Sequence, residues 1–218
     1  MKVENLGAVI MEYKAKSAPT DRYTSFDYCY NHFKNTDNLR VDIEKSCLVL
    51  GFYLASWGML RGSSFLLQKS IKHLQPLAEY YLMLDKDTWY IDIDNYTENN
   101  IQKIIEIYNN SKRLIIDKNN SHLTLITKIL LGVFGFIPAF DQFFCKTFKT
   151  LFYNKCGFAT VNTKSLNLLS EFYFNNEFEI SEISKNTFTT DFTTANKTNI
   201  NYPKAKIVDM YGFTQGLK

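Results

Sequence analysis

The sequence predicts an all-α protein, a multi-helix globular bundle around a central apolar helix-turn-helix hairpin. Two observations favour this fold class. Apolar residues recur every three or four positions in most segments, and residues suited to cap or end helices stand at the segment ends. The most apolar stretch is 121–149, and helices without a polar face must be covered by other helices. We therefore expect 121–149 at the centre of the bundle.

The central stretch has the layout of two buried helices joined by a tight turn. Ser121 is suited to cap the first helix, and Gly132 and Gly135 are suited to end it. Pro138 fits the first turn of the second helix, where its missing N–H costs no hydrogen bond.

Length and composition indicate an ordinary globular chain. With 218 residues it can bury a core without disulfides, and we expect one domain over 1–218, with a division into two lobes left open. The net charge of +3 is too small to predict nucleic-acid binding by itself. The four cysteines form no CxxC pair and no secretory signal is visible, so we expect reduced thiols and a soluble, cytoplasmic protein.

Two uncharged runs are too short to span a membrane. Residues 46–60 would form a helix of roughly 22 Å, which is shorter than the ~30 Å hydrocarbon core. Residues 129–140 are interrupted by two glycines and a proline. We expect no membrane partner, and we expect these runs to be core helices packed on each other, with 46–60 covered on nearly all sides.

The N-terminal half predicts a short amphipathic helix in 1–18 and a second helix that begins near residues 19–21. Asp37 or Asn38 is suited to cap a third, which we expect to run to about Leu60. Cys29 and His32 have C-x-x-H spacing, but no second pair of ligands completes a tetrahedral site. We therefore predict no metal site and no cofactor.

The middle and C-terminal segments follow the same rules. A helix is predicted over 65–74, another from Pro76 to about 84, and an extended linker over 85–95. Thr97 is suited to cap an amphipathic helix that ends near 109–113. Helices are expected after Asn162 or Thr163 and over 176–184, then a polar surface loop at about 185–200 and a last helix ended by Gly216.

One candidate site is an anion or phosphate site. Arg61, Ser63 and Ser64 place a guanidinium and two hydroxyls beside an expected helix start, where backbone N–H groups attract anions. Gly135, in the hairpin, would add a backbone contact to phosphate. The alternative is ordinary helix capping by the serines and by Arg61.

The other candidate is a catalytic pair, Lys128 and Asp141, whose charges stand among apolar neighbours. An unpaired charge is costly there, so we expect the two to pair with each other, to face a cleft, or to pair with Arg61. A lysine whose pKa is lowered by burial can act as a nucleophile. The alternative is that Lys128 extends to the surface and Asp141 stabilises a helix start.

Three strings resemble a set of bacterial proteins that have no assigned activity: LGFYLASWGMLRGSSFLLQ (50–68), TKILLGVFGFIPAFDQFF (127–144) and YPKAKIVDMY (202–211). Residues 122–150 also resemble the helix-hairpin-helix element of base-excision DNA glycosylases. That resemblance implies a hairpin at Gly132 and Gly135, with Lys128 as catalytic lysine and Asp141 as catalytic aspartate. The sequence departs from it in reading GVFG at the hairpin and in placing Lys128 before the glycines.

Two functions follow as hypotheses. The first is a nucleic-acid-associated protein that binds DNA phosphates through the hairpin, with base chemistry as an option. The alternative is a non-catalytic binding or interaction module. Whether the protein is an enzyme, what it binds and its oligomeric state stay open at this point.

Overall fold

A computed structural model describes residues 2–35, 37–62, 64–117, 121–153 and 155–218. The chain is predominantly helical, which confirms the predicted fold class. The helices are α1 Leu6–Lys14, α2 Ser25–Lys34, α3 Asp37–Val41, α4 Ile43–Ser56, α5 Gln75–Leu82, α6 Glu98–Ile115, α7 Leu123–Phe134, α8 Gln142–Leu151, α9 Thr163–Asn175, α10 Glu177–Asn186 and α11 Lys204–Gly216.

A small antiparallel hairpin replaces the loop expected at 185–200. Strand β1 is Phe188–Thr190 and strand β2 is Lys197–Asn201. Thr190 pairs with Lys197. The β-branched threonines suit extended backbone, and the Thr189 hydroxyl lies 2.6 Å from that of Thr198. Because the strands are short, the alternation of apolar and polar residues that predicts a strand could not be recognised in the sequence.

Helices α7 and α8 form the central hairpin, but only α7 is buried as predicted, because α8 buries just its Phe144 and Phe148 face, and the turn between them is not tight. Gly135 ends α7 in the left-handed conformation, with φ 72°, as predicted for a C-terminal glycine. α8 begins only after Asp141, so Pro138 lies in a connector, 135–141, rather than in a first helical turn. The predicted cap at Ser121 is also wrong, because α7 begins at Leu123 and His122 precedes it.

The connector 135–141 is buried along its whole length, so its backbone polar groups need partners inside the protein. Side chains from other elements supply them. Tyr96 Oη donates to Phe136 O (2.5 Å), Asp209 Oδ1 accepts from Ala139 N (3.0 Å) and Thr127 Oγ1 accepts from Phe140 N (2.9 Å). These three backbone groups of the connector are therefore satisfied within the fold.

Helix α11 is buried on nearly every side, and it packs closely against α8. Glycine allows this approach: a Cβ at Gly212 would overlap the Phe144 ring, and one at Gly216 would overlap the Phe143 backbone. Thr147 Oγ1 donates to Gly212 O at 2.7 Å across the same contact.

Helix α4 packs on α7, as predicted for the two uncharged runs. The close contact is at Gly132, where an added Cβ would lie 2.5 Å from Tyr53 Cε1. Asp42, rather than Asp37 or Asn38, caps α4, and the helix ends at Ser56 rather than near Leu60. The expectation that neighbours cover it on nearly all sides is wrong, because its outer face is exposed.

Two segments are less regular than predicted. Residues 65–74 form the short 3₁₀ turns Phe65–Gln68 and Ile71–Leu74 instead of one helix. The expected linker at 85–95 also contains 3₁₀ turns, Lys86–Tyr90 and Ile93–Asn95. Asp92 between them caps α11, accepting hydrogen bonds from Lys204 N (2.7 Å) and Ala205 N (2.9 Å).

Candidate functional site

Lys128 and Asp141 form a buried ion pair. Lys128 Nζ lies 3.2 Å from Asp141 Oδ2, and the two residues are 4% and 8% exposed. Asp141 Oδ1 also accepts from the backbone N–H groups of Phe143 (3.1 Å) and Phe144 (3.0 Å), so Asp141 caps α8 as well. The pair therefore joins α7 to the start of α8. Its catalytic role stays a prediction.

A second buried ion pair lies on α11. Lys206 Nζ is 2.7 Å from Asp209 Oδ2 and 3.1 Å from Tyr13 Oη. The other Asp209 oxygen accepts from Ala139 N in the connector. Sequence reasoning missed this pair, because a lysine and an aspartate three residues apart are typical of a solvent-facing helix surface.

The Trp57 ring brings the two lysines together. Lys128 Nζ lies 4.8 Å and Lys206 Nζ 5.5 Å from its centroid, both within cation–π range. Tyr23 stacks on the same ring at 5.3 Å. Each lysine thus has a carboxylate and an aromatic neighbour. These contacts favour a stabilising role for the cluster.

The predicted anion site is not assembled as expected. Arg61 is exposed and lies against Gly58, whereas Gly135 is buried beneath Pro203 and Tyr30. No hydrogen bond or ion pair between described residues joins Arg61 to Gly135, Lys128 or Asp141.

Ser64 begins only the short turn Phe65–Gln68, and its hydroxyl is already occupied. It donates to Met59 O (2.5 Å) and accepts from Leu66 N (3.3 Å). This geometry is that of a local cap. Ser63 lies outside the described residues. Phosphate binding at these positions stays a prediction.

The described residues contain neither a metal-binding cluster nor a membrane-spanning helix. Within the ranges given above, no cluster of three or more His, Cys, Asp or Glu side chains could hold a metal ion. In those ranges, too, no helix combines the length and the apolar character needed to cross a bilayer.

A groove of about 990 Å³ opens between α2, α4 and the turn 191–195 that joins the two strands. We call it the α2–α4 groove. Its apolar lining comes from Tyr28, Leu48, Val49, Phe52 and Phe192. Polar and charged groups around it include Asp21, Arg22, Ser25, His32, Lys45 and Asp191. Sequence reasoning missed this site because its walls come from segments far apart in the chain.

The β-hairpin of β1 and β2, which forms one wall of the groove, is anchored to α2. Asp27 Oδ2 accepts from Thr190 N (2.8 Å), and Asn31 Nδ2 donates to Thr190 O (2.9 Å). Beyond these bonds, the Phe192 ring packs edge-on against Tyr28, with centroids 5.1 Å apart. The wall is therefore held in place at both its base and its tip.

Comparison with known proteins assigns no family to this chain. No family model, curated protein or solved structure matches it. The resemblances drawn from the sequence therefore stay predictions. The shape and lining of the α2–α4 groove are the basis for assigning a function.

Asp27, which bonds the β-hairpin to α2, makes the stability of the fold depend on pH. Burial raises the pKa of Asp27 to about 6 from its ordinary 3.8, although hydrogen bonds from Tyr202 and Thr190 and the charge of Lys206 oppose the rise. Because the folded pKa exceeds the unfolded one, ionised Asp27 destabilises the fold. This cost is present in full above about pH 6 and is lost as the pH falls toward about 4.

We therefore expect Asp27→Asn to flatten the pH dependence of stability. As the pH rises from about 4 to about 7, ionisation of Asp27 should lower the free energy of unfolding of the wild type by roughly 2–3 kcal/mol. The variant should lack this decrease. Urea unfolding at several pH values measures the difference. Parallel curves for wild type and variant would contradict the assignment.

Proposed function

We propose that this protein is a binding module that holds an apolar ligand in the α2–α4 groove. The observation that carries the proposal is the outer face of α4, where Leu48 is 52% and Phe52 69% exposed. A helix with apolar residues on every side is normally covered by neighbours. Here the chain's own helices leave that face open, directly beside a concave surface.

The size and lining of the groove support a small-molecule ligand. Its volume of about 990 Å³ lies at the upper end of the roughly 300–1,000 Å³ typical of such sites. A mostly apolar lining with a few polar groups around it is also typical of ligand pockets.

Nucleic-acid binding through the central hairpin receives less support. Phosphate contacts of that kind need exposed backbone N–H groups, but the connector 135–141 is buried. Its Ala139 and Phe140 N–H groups already donate to Asp209 and Thr127. The alternative hypothesis of a binding module is therefore the one we adopt.

Titration with the neutral fluorescent probe N-phenyl-1-naphthylamine tests the proposal. We expect saturable binding of one probe per chain, weakened about tenfold by Phe52→Ser because the variant removes apolar contact area from the groove. Phe178→Ser is the matched control: Phe178 is 84% exposed on α10 and does not line the groove.

Failure of the wild type to bind the probe saturably would contradict the proposal. An equal loss of affinity in Phe52→Ser and Phe178→Ser would contradict it too, since the probe would then be reporting general surface hydrophobicity. Thermal melts of both variants serve to confirm that they are folded.

A further inference from the structure

The cations and the carboxylates of the α2–α4 groove differ in whether they have bonding partners within the protein. Arg22 and Lys45 line the groove, and neither has an ion-pair partner among the described residues. The carboxylates bond to their own backbone: Asp191 Oδ1 accepts from Thr194 N (2.8 Å), and Asp21 Oδ2 accepts from Ala18 N (2.9 Å). Backbone N–H groups therefore occupy carboxylate oxygens, whereas neither cation is paired within the described residues.

Arg22 is held in position by aromatic rings. Its guanidinium carbon lies 5.2 Å from the Tyr23 centroid and 5.4 Å from the Trp57 centroid. Cation–π contacts of this kind orient a guanidinium while its N–H groups remain able to donate. An anionic ligand would therefore meet a pre-oriented donor.

A second unused group lies three residues further on. Ser25 lines the groove and is 4% exposed, yet its hydroxyl has no hydrogen-bond partner among the described residues. A buried hydroxyl without a partner costs free energy. A ligand oxygen near Arg22 would supply the missing partner.

The other cation lies toward the far end of the groove. Lys45 is close to His32, where its charge helps to lower the His32 pKa after the larger effect of burial. Ser25 and His32 are seven residues apart on α2, which corresponds to roughly 10 Å along the helix axis. The apolar lining from Val49 and Phe52 is thus available for a hydrocarbon chain between the two ends.

We infer, on the basis of the proposed function, that the ligand is a linear hydrocarbon chain ending in a carboxylate, with the carboxylate at Arg22 and Ser25 and the chain along Val49 and Phe52. The guanidinium donates to the carboxylate oxygens and the Ser25 hydroxyl donates to one of them. No covalent step is involved.

Competition against N-phenyl-1-naphthylamine tests this inference. The competitors are dodecanoate, dodecanol and dodecyltrimethylammonium, each below its micelle-forming concentration. We expect dodecanoate to displace the probe at about tenfold lower concentration than dodecanol, which has the same chain without the charge. The cationic competitor should be the weakest.

Four variants test where the carboxylate of the ligand binds. Arg22→Gln should abolish the preference for dodecanoate over dodecanol, Arg22→Lys should retain part of it, and Ser25→Ala should reduce it. Lys45→Gln is the matched control, because it removes the cation near His32 and should leave the preference unchanged. Thermal melts verify that all four variants are folded. The preference is taken as the ratio of dodecanoate to dodecanol displacement within each variant, so that a change in probe affinity cancels from it.

The outcomes separate this inference from the proposed function. Absence of probe binding would overturn both. Probe binding with equal displacement by dodecanoate and dodecanol would leave the binding module standing and overturn the carboxylate ligand. Light scattering that reveals a dimer, dissociated by Phe52→Ser, would identify a second copy of the chain as the occupant and would likewise overturn it.

Discussion

Substituting Gly212 with alanine is expected to lower the free energy of unfolding by about 2–3 kcal/mol, even though alanine is the better helix former. Gly212 lies in α11 where it meets α8, and an added Cβ would overlap the Phe144 ring and lie 2.9 Å from Phe148 Cε2. Both rings are fully buried, so neither can move without displacing its neighbours. Urea unfolding of the variant measures the loss.

Gly157→Ala is the matched control for this substitution. Nothing lies within 4 Å of a Cβ at Gly157, so we expect its effect to stay within about 0.5 kcal/mol. If Gly212→Ala instead raised stability by the ~1 kcal/mol that helix propensity alone predicts, the close contact between α8 and α11 would be wrong.

Replacing Lys206 with methionine is expected to lower the free energy of unfolding by about 3–5 kcal/mol. Lys206 is 1% exposed, and its ammonium group bonds to Asp209 and Tyr13. Methionine fills similar space but leaves Asp209 as a buried carboxylate without its cation. The penalty is therefore that of an uncompensated buried charge.

The chain contains its own control for this prediction. Lys185 and Glu182 are also three residues apart on a helix, with Nζ and Oε1 3.3 Å apart, but both are exposed. We expect Lys185→Met to change the free energy of unfolding by less than about 0.5 kcal/mol. Adding Asp209→Asn to Lys206→Met should recover part of the loss. Equal, small effects at Lys206 and Lys185 would contradict the buried pair.

Local rules predicted much of the fold. Thr97 caps α6 and Gly135 ends α7, as expected from residue type and position, whereas Gly216 is the last residue inside α11 and Leu217 is its C-cap. Such signals act within one helical turn, so a single sequence contains them in full. The boundary predicted at Pro138 failed where tertiary packing offered the backbone other partners, since Ala139 N and Phe140 N donate to Asp209 and Thr127.

The sequence also drew attention to Lys128 and Asp141, because charges are rare in so apolar a stretch. It left open whether they pair with each other, face a cleft or reach the surface. The structure decides for pairing, since α7 and the start of α8 place the two side chains side by side. That choice depends on the angle between two helices, which their local periodicity does not specify.

By itself the sequence determined the helical class, the helix start at Thr97, the helix end at Gly135 and the burial of α7, since these depend on residues within a few positions of one another. Only the tertiary structure decided the buried pair of Lys206 and Asp209 and the exposure of Phe52. It alone also decided the α2–α4 groove, where Phe192 approaches Tyr28 from more than 160 residues away. Such contacts depend on which element packs against which, and that is set by the whole core at once.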